Sequence, residues 1–181
     1  MLQLVLTHNN TQELASERTM LVHRPANAHL SPNTNISGRF SMPDLKLLAL
    51  DSEDLDVISA TTQDAVVRVG DMGFAKADHR FALLMNRFAW EEDGRVKQRK
   101  RAALHFDRVN DVKVSGIDTN AVDGVLELLA IRFNISDDPA GAVDLEFAGG
   151  GTVRLSVECL EARLQDLGAA WAAKATPEHS A

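Results

Sequence analysis

The chain has 181 residues, 45% of them hydrophobic and 25% charged, with a net charge of −7 at neutral pH. That length limits it to one domain or two and lets it bury a core without a disulfide or metal staple. The single cysteine, Cys159, excludes an intramolecular disulfide framework and a zinc site of several thiolates. The acidic balance argues against general polyanion binding, and no apolar run approaches the roughly 20 residues of a membrane span.

Met1 to Ser41 is rich in Asn, Thr, Ser, His and Pro, with Pro25 and Pro32 breaking it. It reads as a disordered leader in which only Gln12 to Val22 has the pattern of a short helix. Leu2 to Leu6 is too short for a signal-peptide core, and neither a preceding Lys or Arg nor a small-residue cleavage pattern frames it. The composition changes abruptly at Met42-Pro43, which is where the natural start is expected. A single globular domain is therefore expected over residues 42–173, with a flexible tail over 174–181.

Leu45 to Leu50 has the length of a strand. Asp51 or Ser52 then reads as a helix N-cap, with Glu53 and Asp54 in the first turn, where the helix dipole favours anions. Leu55, Ile58 and Thr62 share one face, which predicts a helix over Ser52 to Gln63. The carboxylates of Asp51, Glu53, Asp54, Asp56 and Asp64 read as capping and a solvated face, because no glycine-containing EF-hand loop frames them.

A meander of strands follows. Ala65 to Val69 is β-branched and ends at Gly70-Asp71; Met72 to Ala75 is a second, short strand; Ala77-Asp78-His79 turns. Phe81 to Trp90 is a long strand, with Leu84, Phe88 and Trp90 on one face and Leu83, Met85 and Arg87 on the other. Glu91 to Lys100 is a charged loop. Ala102 to Val109 points Leu104 and Phe106 inward and His105 and Asp107 outward, and Val112 and Val114 continue it after a kink. Val125 to Ile135 aligns Leu129, Ile131 and Phe133, and Ser136 to Gly141 turns.

The stretch from Ala142 to Trp171 is the most explicit. Val143, Leu145 and Phe147 alternate with Asp144 and Glu146, and Val153, Leu155 and Val157 alternate with Arg154, Ser156 and Glu158. Gly149-Gly150-Gly151 joins the two runs as a hairpin turn that requires positive φ. Leu160, Leu164, Leu167 and Trp171 then follow the spacing of a helix buried on one side, which predicts a C-terminal capping helix. Leu83 to Phe88 and Leu128 to Phe133 echo each other; two ordinary β-sequences explain the likeness better than a repeat.

Two groups of residues could carry function. Arg95, Lys97, Arg99, Lys100 and Arg101 place five cations in seven positions, enough to contact an acidic protein partner or, weakly, a nucleic-acid backbone. Glu91, Glu92 and Asp93 precede them, and no aromatic residues interleave for base stacking. His105 and Asp107 share a strand face, an arrangement that can orient a general base in a pocket. No G-x-S-x-G frames a nucleophile, the Gly149 to Gly151 run fits neither phosphate-loop pattern, and Cys159 between Glu158 and Glu161 reads as a small hydrophobe. No catalytic, cofactor-binding or metal-ligating residue is assigned.

Several motifs together resemble a known family. They are Lys46-Leu47-Leu48-Ala49-Leu50-Asp51, Gln63-Asp64-Ala65-Val66-Val67, Asn86-Arg87-Phe88, Arg101 to Val109, Phe147-Ala148-Gly149-Gly150-Gly151 and Val157-Glu158-Cys159-Leu160-Glu161-Ala162. They are similar to those of domain of unknown function family 2948 of alphaproteobacteria, over about Asp44 to His179. The resemblance implies a small bacterial cytoplasmic protein whose relatives begin near Met42. It supplies no activity, cofactor or site residue.

The order of elements predicts an α+β fold. About seven antiparallel strands would form a pleckstrin-homology-like split barrel or two packed sheets, with one N-terminal helix and a C-terminal capping helix. A helix-packed open antiparallel sheet is the alternative. The functional expectation is a non-enzymatic binding or scaffold module, with a small-ligand binder or enzyme at His105 and Asp107, or a weak nucleic-acid binder through the Arg95 to Arg101 loop, as the alternatives.

Overall fold

In the computed structural model, which describes residues 44–91, 98–168 and 171–172, the alternating segments form ten antiparallel strands. Among the described residues there is one α-helix. In chain order these are β1 (Lys46–Ala49), α1 (Ser52–Thr62), β2 (Ala65–Ala75), β3 (Arg80–Phe88) and β4 (Gln98–Phe106). Then come β5 (Val109–Ser115), β6 (Val125–Asp137), β7 (Ala140–Phe147), β8 (Thr152–Val157), β9 (Ala162–Asp166) and β10 (Trp171–Ala172).

The strands make one sheet in the order β1-β9-β4-β3-β2-β6-β7-β8-β5, with β10 beside β4. The ends of that path, β1 and β5, do not pair with each other, so the sheet stays open. Period two supplies the core: Phe81, Leu83 and Met85 of β3, Leu104 and Phe106 of β4, Val143, Leu145 and Phe147 of β7, and Val153 and Leu155 of β8 are all buried. Burying side chains of this kind stabilises a fold by about 1.5–3 kcal/mol each before chain entropy is counted.

The helix forms where its cap is written. The Asp51 carboxylate accepts from the Asp54 amide at 2.9 Å, and Leu55 and Ile58 are buried on the core side. α1 packs against β6 and β1. β2 pairs with β6 only over Val125–Leu128, and beyond that point the Ser59 hydroxyl accepts from the Ile131 amide at 2.9 Å. The helix thus satisfies an edge amide that no strand reaches.

Three expectations are corrected. Among the described residues the C-terminal helix is absent: Leu160 and Leu164 are buried, but Leu167 and Trp171 are 46% and 43% exposed, so the four do not form one buried stripe. The segment is β9 and then β10, because Ala162, Leu164 and Asp166 all face inward at period two. The split barrel and the two packed sheets give way to one open sheet, and ten strands with one helix replace about seven with two.

Smaller differences have local causes. The two strands expected on either side of Gly70-Asp71 are one strand, β2, whose register shifts between Val67 and Met72. There the Val69 and Gly70 amides leave the ladder to donate to the carbonyls of Gly124 and Val122, at 2.9 and 2.8 Å. In β6 a register shift between Leu128 and Ala130 sends Leu128 and Ile131 inward, while Leu129 is 43% exposed. The glycine turn between β7 and β8 has positive φ at Gly149 and Gly150, and Phe147 closes it by donating to the Gly151 carbonyl at 2.8 Å.

Candidate functional site

β4 divides the basic cluster. Arg95 and Lys97 lie outside the described residues. Of the rest, alternate residues point to opposite faces, so Lys100 turns inward with Ala102 and Leu104, and Arg99 and Arg101 turn outward. Arg99 donates from Nη1 to the Asn86 carbonyl at 2.9 Å and the Asp64 carbonyl at 3.2 Å, with its guanidinium carbon 5.8 Å from the centre of the Phe88 ring. Phe88 in turn packs against Trp90, ring centres 4.4 Å apart. Arg101 remains at the surface, half exposed and 4.0 Å from Asp71.

Lys100 belongs to a buried charged group that sequence inspection missed. Arg87 ends the inward face of β3 and its side chain is fully buried. Its five N–H groups are all engaged. Nε and Nη2 donate to Asp166 Oδ1 and Oδ2, each at 2.8 Å; Nη1 and Nη2 donate to Glu91 Oε2 and Oε1 at 3.0 and 2.6 Å; Nη1 also donates to the Phe88 carbonyl at 3.2 Å. Asp166 further accepts from the Leu45 amide at 3.2 Å, and Lys100 Nζ lies 3.8 Å away. Burial alone would lower the Arg87 pKa, but the bonds to Asp166 and Glu91 outweigh it and hold the pKa above its ordinary value. Burial raises the Asp166 carboxyl, and the Arg87 hydrogen bond and charge overcome that, leaving it below the usual carboxylate range. Glu91 is lowered chiefly by its bond to Arg87. With the Arg87 donors saturated, this group joins strands.

The other end of β3 carries the candidate site. The β2–β3, β4–β5 and β8–β9 connections meet there and are tied through their main chains. The Val109 amide donates to the His79 carbonyl at 2.8 Å, Asp107 to Glu161 at 3.0 Å, and Glu158 to Arg108 at 3.0 Å. Between them is an open cleft of about 500 Å³. Asp78, His79 and Arg80 line it from the first connection, Asp107 and Arg108 from the second, and Glu158, Glu161 and Arg163 from the third and from β9.

Two of these residues hold unusual backbones. His79 and Arg108 have φ of 50° and 61°, the left-handed region that costs a residue with a Cβ roughly 1–2 kcal/mol. The cross-loop hydrogen bonds offset that cost. Such strain concentrates at ligand sites, where neighbouring structure fixes it. The His79 ring is fixed as well: Nδ1 is 3.2 Å from the Val109 carbonyl. A carbonyl only accepts, so Nδ1 carries a proton and Nε2 is directed away.

The charges in the cleft fall into two kinds. Arg80 Nε donates to Asp107 Oδ1 at 2.6 Å, and Arg163 Nη2 to Glu161 Oε1 at 2.8 Å. These forks are held in place by internal carboxylates. Asp78, Arg108 and Glu158 are exposed, and none of the three forms an ion pair among the described residues.

The structure brings His105 and Asp107 together, with His105 Nε2 3.6 Å from Asp107 Oδ2. Asp107 lines the cleft and His105 stands behind it, half-buried on the same sheet face. Burial lowers the His105 pKa, and Arg80 and Arg163 add to this; the Asp107 charge opposes them without reversing the shift. The shift favours the neutral imidazole, and the Asp107 carboxylate beside it is already engaged by Arg80. Cys159, beside the cleft, is a half-buried free thiol.

Of the residues that line the cleft, the sequence reading singled out Asp107 alone as a candidate pocket residue. Arg80, Arg108, Glu158, Glu161 and Arg163 are ordinary surface charges in one dimension. The strand ladders bring them together: β4 with β9 sets Arg163 beside His105, β3 with β4 sets Phe81 beside Phe106, and β5 with β8 sets Val109 beside Val157.

The model of one protein family, described as protein of unknown function (DUF2948), matches residues 45–179. No curated protein and no solved structure matches the chain.

Proposed function

The chain belongs to the DUF2948 family of proteins of unknown function, and on that premise we propose that it is a non-enzymatic binding module. Its ligand site is the charged cleft between the β2–β3, β4–β5 and β8–β9 connections. One observation carries this reading: three loops are stapled to one another by main-chain hydrogen bonds, and they present charges of both signs on a fixed rim. A rim already ordered loses little entropy on binding, which is what preorganised sites exploit. An open, polar cleft of about 500 Å³ suits a small charged molecule.

Equilibrium dialysis tests it. The full chain is dialysed against a small-molecule extract of its native host, and retained compounds are identified by mass spectrometry. The reading expects at least one charged metabolite enriched by the native chain and not by Arg108→Ala. Equal retention by both, or by neither, refutes it.

A second reading rests on Arg101, which is exposed where Arg99 and Lys100 are engaged by the fold. With Arg95 and Lys97 it would contact an acidic protein partner. Charge reversal at Arg101 should then weaken capture of that partner, and an unchanged partner set counts against it.

A further inference from the structure

We infer that the cleft takes a zwitterionic small molecule of the amino-acid type, its carboxylate on Arg108 and its ammonium on Glu158, the residue whose amide is bonded to the Arg108 carbonyl; this rests on the reading of the cleft as a ligand site.

Subtraction leads to this class of ligand. Arg80 and Asp107 neutralise each other at 2.6 Å, as do Arg163 and Glu161 at 2.8 Å. What remains along the rim is one cation and two anions: Arg108, Asp78 and Glu158. They stay unpaired although their main chains are adjacent. The Glu158 amide donates to the Arg108 carbonyl at 3.0 Å, and the Val109 amide to the carbonyl of His79, the residue after Asp78, at 2.8 Å. These bonds fix the left-handed backbone at Arg108, whose exposed side chain lines the same cleft as Asp78 and Glu158 and makes no ion pair with either among the described residues.

Such a rim discriminates by charge pattern. A simple anion on Arg108 meets Asp78 and Glu158, and a simple cation on either carboxylate meets Arg108. A molecule carrying both charges a few ångströms apart pairs with the cation and with a carboxylate at once. The guanidinium suits a carboxylate because its fork matches both oxygens. His79, its Nδ1 3.2 Å from the Val109 carbonyl, adds a polar side chain to the lining.

The test uses the ¹⁵N-labelled full chain and three probes: a mixture of free α-amino acids, acetate, and methylammonium, all at equal concentration. The inference expects an amino acid to shift the amides of Asp78, His79, Arg108 and Glu158, and the single-charge probes to leave them in place. Loss of a charged hydrogen-bonding partner should weaken binding about tenfold or more, in Arg108→Ala and separately in Glu158→Gln. Unchanged amides of Leu104 and Leu145 report that each variant folds. Acetate shifting the same amides as strongly, or Glu158→Gln binding as well as the native chain, overturns the inference. If host extract shifts the cleft amides and no amino acid does, the zwitterion falls while the ligand site stands; if neither shifts them, both fall.

Discussion

Replacing Arg87 with methionine should destabilise the protein more than almost any other single substitution on the sheet. Methionine keeps most of the stem and removes the guanidinium. Five donor contacts disappear, and the Asp166 carboxylate is left with a fully buried side chain, the Leu45 amide at 3.2 Å and Lys100 at 3.8 Å. Removing one partner of a buried ion pair costs about 3–5 kcal/mol. Lys100 still offsets part of the stranded charge, which places Arg87→Met near about 3–4 kcal/mol within that range. Urea unfolding at pH 7, followed through the fluorescence of the two tryptophans, reads it. At a slope of roughly 1.5–2 kcal/mol per molar, the midpoint should fall by about 2 M. A cycle with Asp166→Asn should give a coupling of about 2 kcal/mol or more, because the two residues share two hydrogen bonds. A loss below about 1 kcal/mol, with the two changes additive, would refute the buried-network account.

The remaining predictions concern acid stability, the histidine and two local contacts. Asp166 and Glu91 have native pKa values below their unfolded ones, so their stabilisation is complete above the ordinary carboxylate range near about 4 and is lost as pH falls through the depressed native values; Asp166→Asn should flatten the acid limb of a stability–pH curve. The His105 pKa is lowered in the fold, so its contribution is complete above the unfolded value near about 6.5 and declines as pH drops below it; an NMR titration should place its midpoint under that of a model peptide, and a midpoint at or above it contradicts the described burial. Gly141→Ala would put a Cβ 2.5 Å from Phe133 Cε2 and 2.6 Å from the Asn134 carbonyl oxygen. It should cost at least about 1–3 kcal/mol in thermal or urea unfolding, as overpacking does. Ser59→Ala leaves the Ile131 amide without its acceptor and should cost about 1 kcal/mol in the same assays.

Single elements were legible, though their assembly was not, because period two and helix capping are local. Asp51, Glu53 and Asp54 announced α1, and Leu104 and Phe106 against His105 announced the two faces of β4. The C-terminal segment was misread for an instructive reason. Leu160, Leu164, Leu167 and Trp171 satisfy a helical period by spacing alone. Asp166 falls outside that stripe, yet it is buried, bonded to Arg87, 79 positions away in sequence. No local rule contains that pairing. The cleft was hidden likewise: Asp78, Arg108 and Glu158 are unremarkable until the β4–β9 and β5–β8 ladders bring their connections together. The basic run was conspicuous in sequence, but strand alternation engages Arg99 and Lys100 within the fold.

The most direct test of the ligand-site proposal is an amide shift map of the full chain on addition of small-molecule extract from its native host. The account predicts shifts concentrated at Asp78 to Arg80, Asp107 to Arg108 and Glu158 to Arg163, with the β7–β8 hairpin undisturbed. Shifts confined to Arg99 to Arg101, with the cleft amides unmoved, would contradict it.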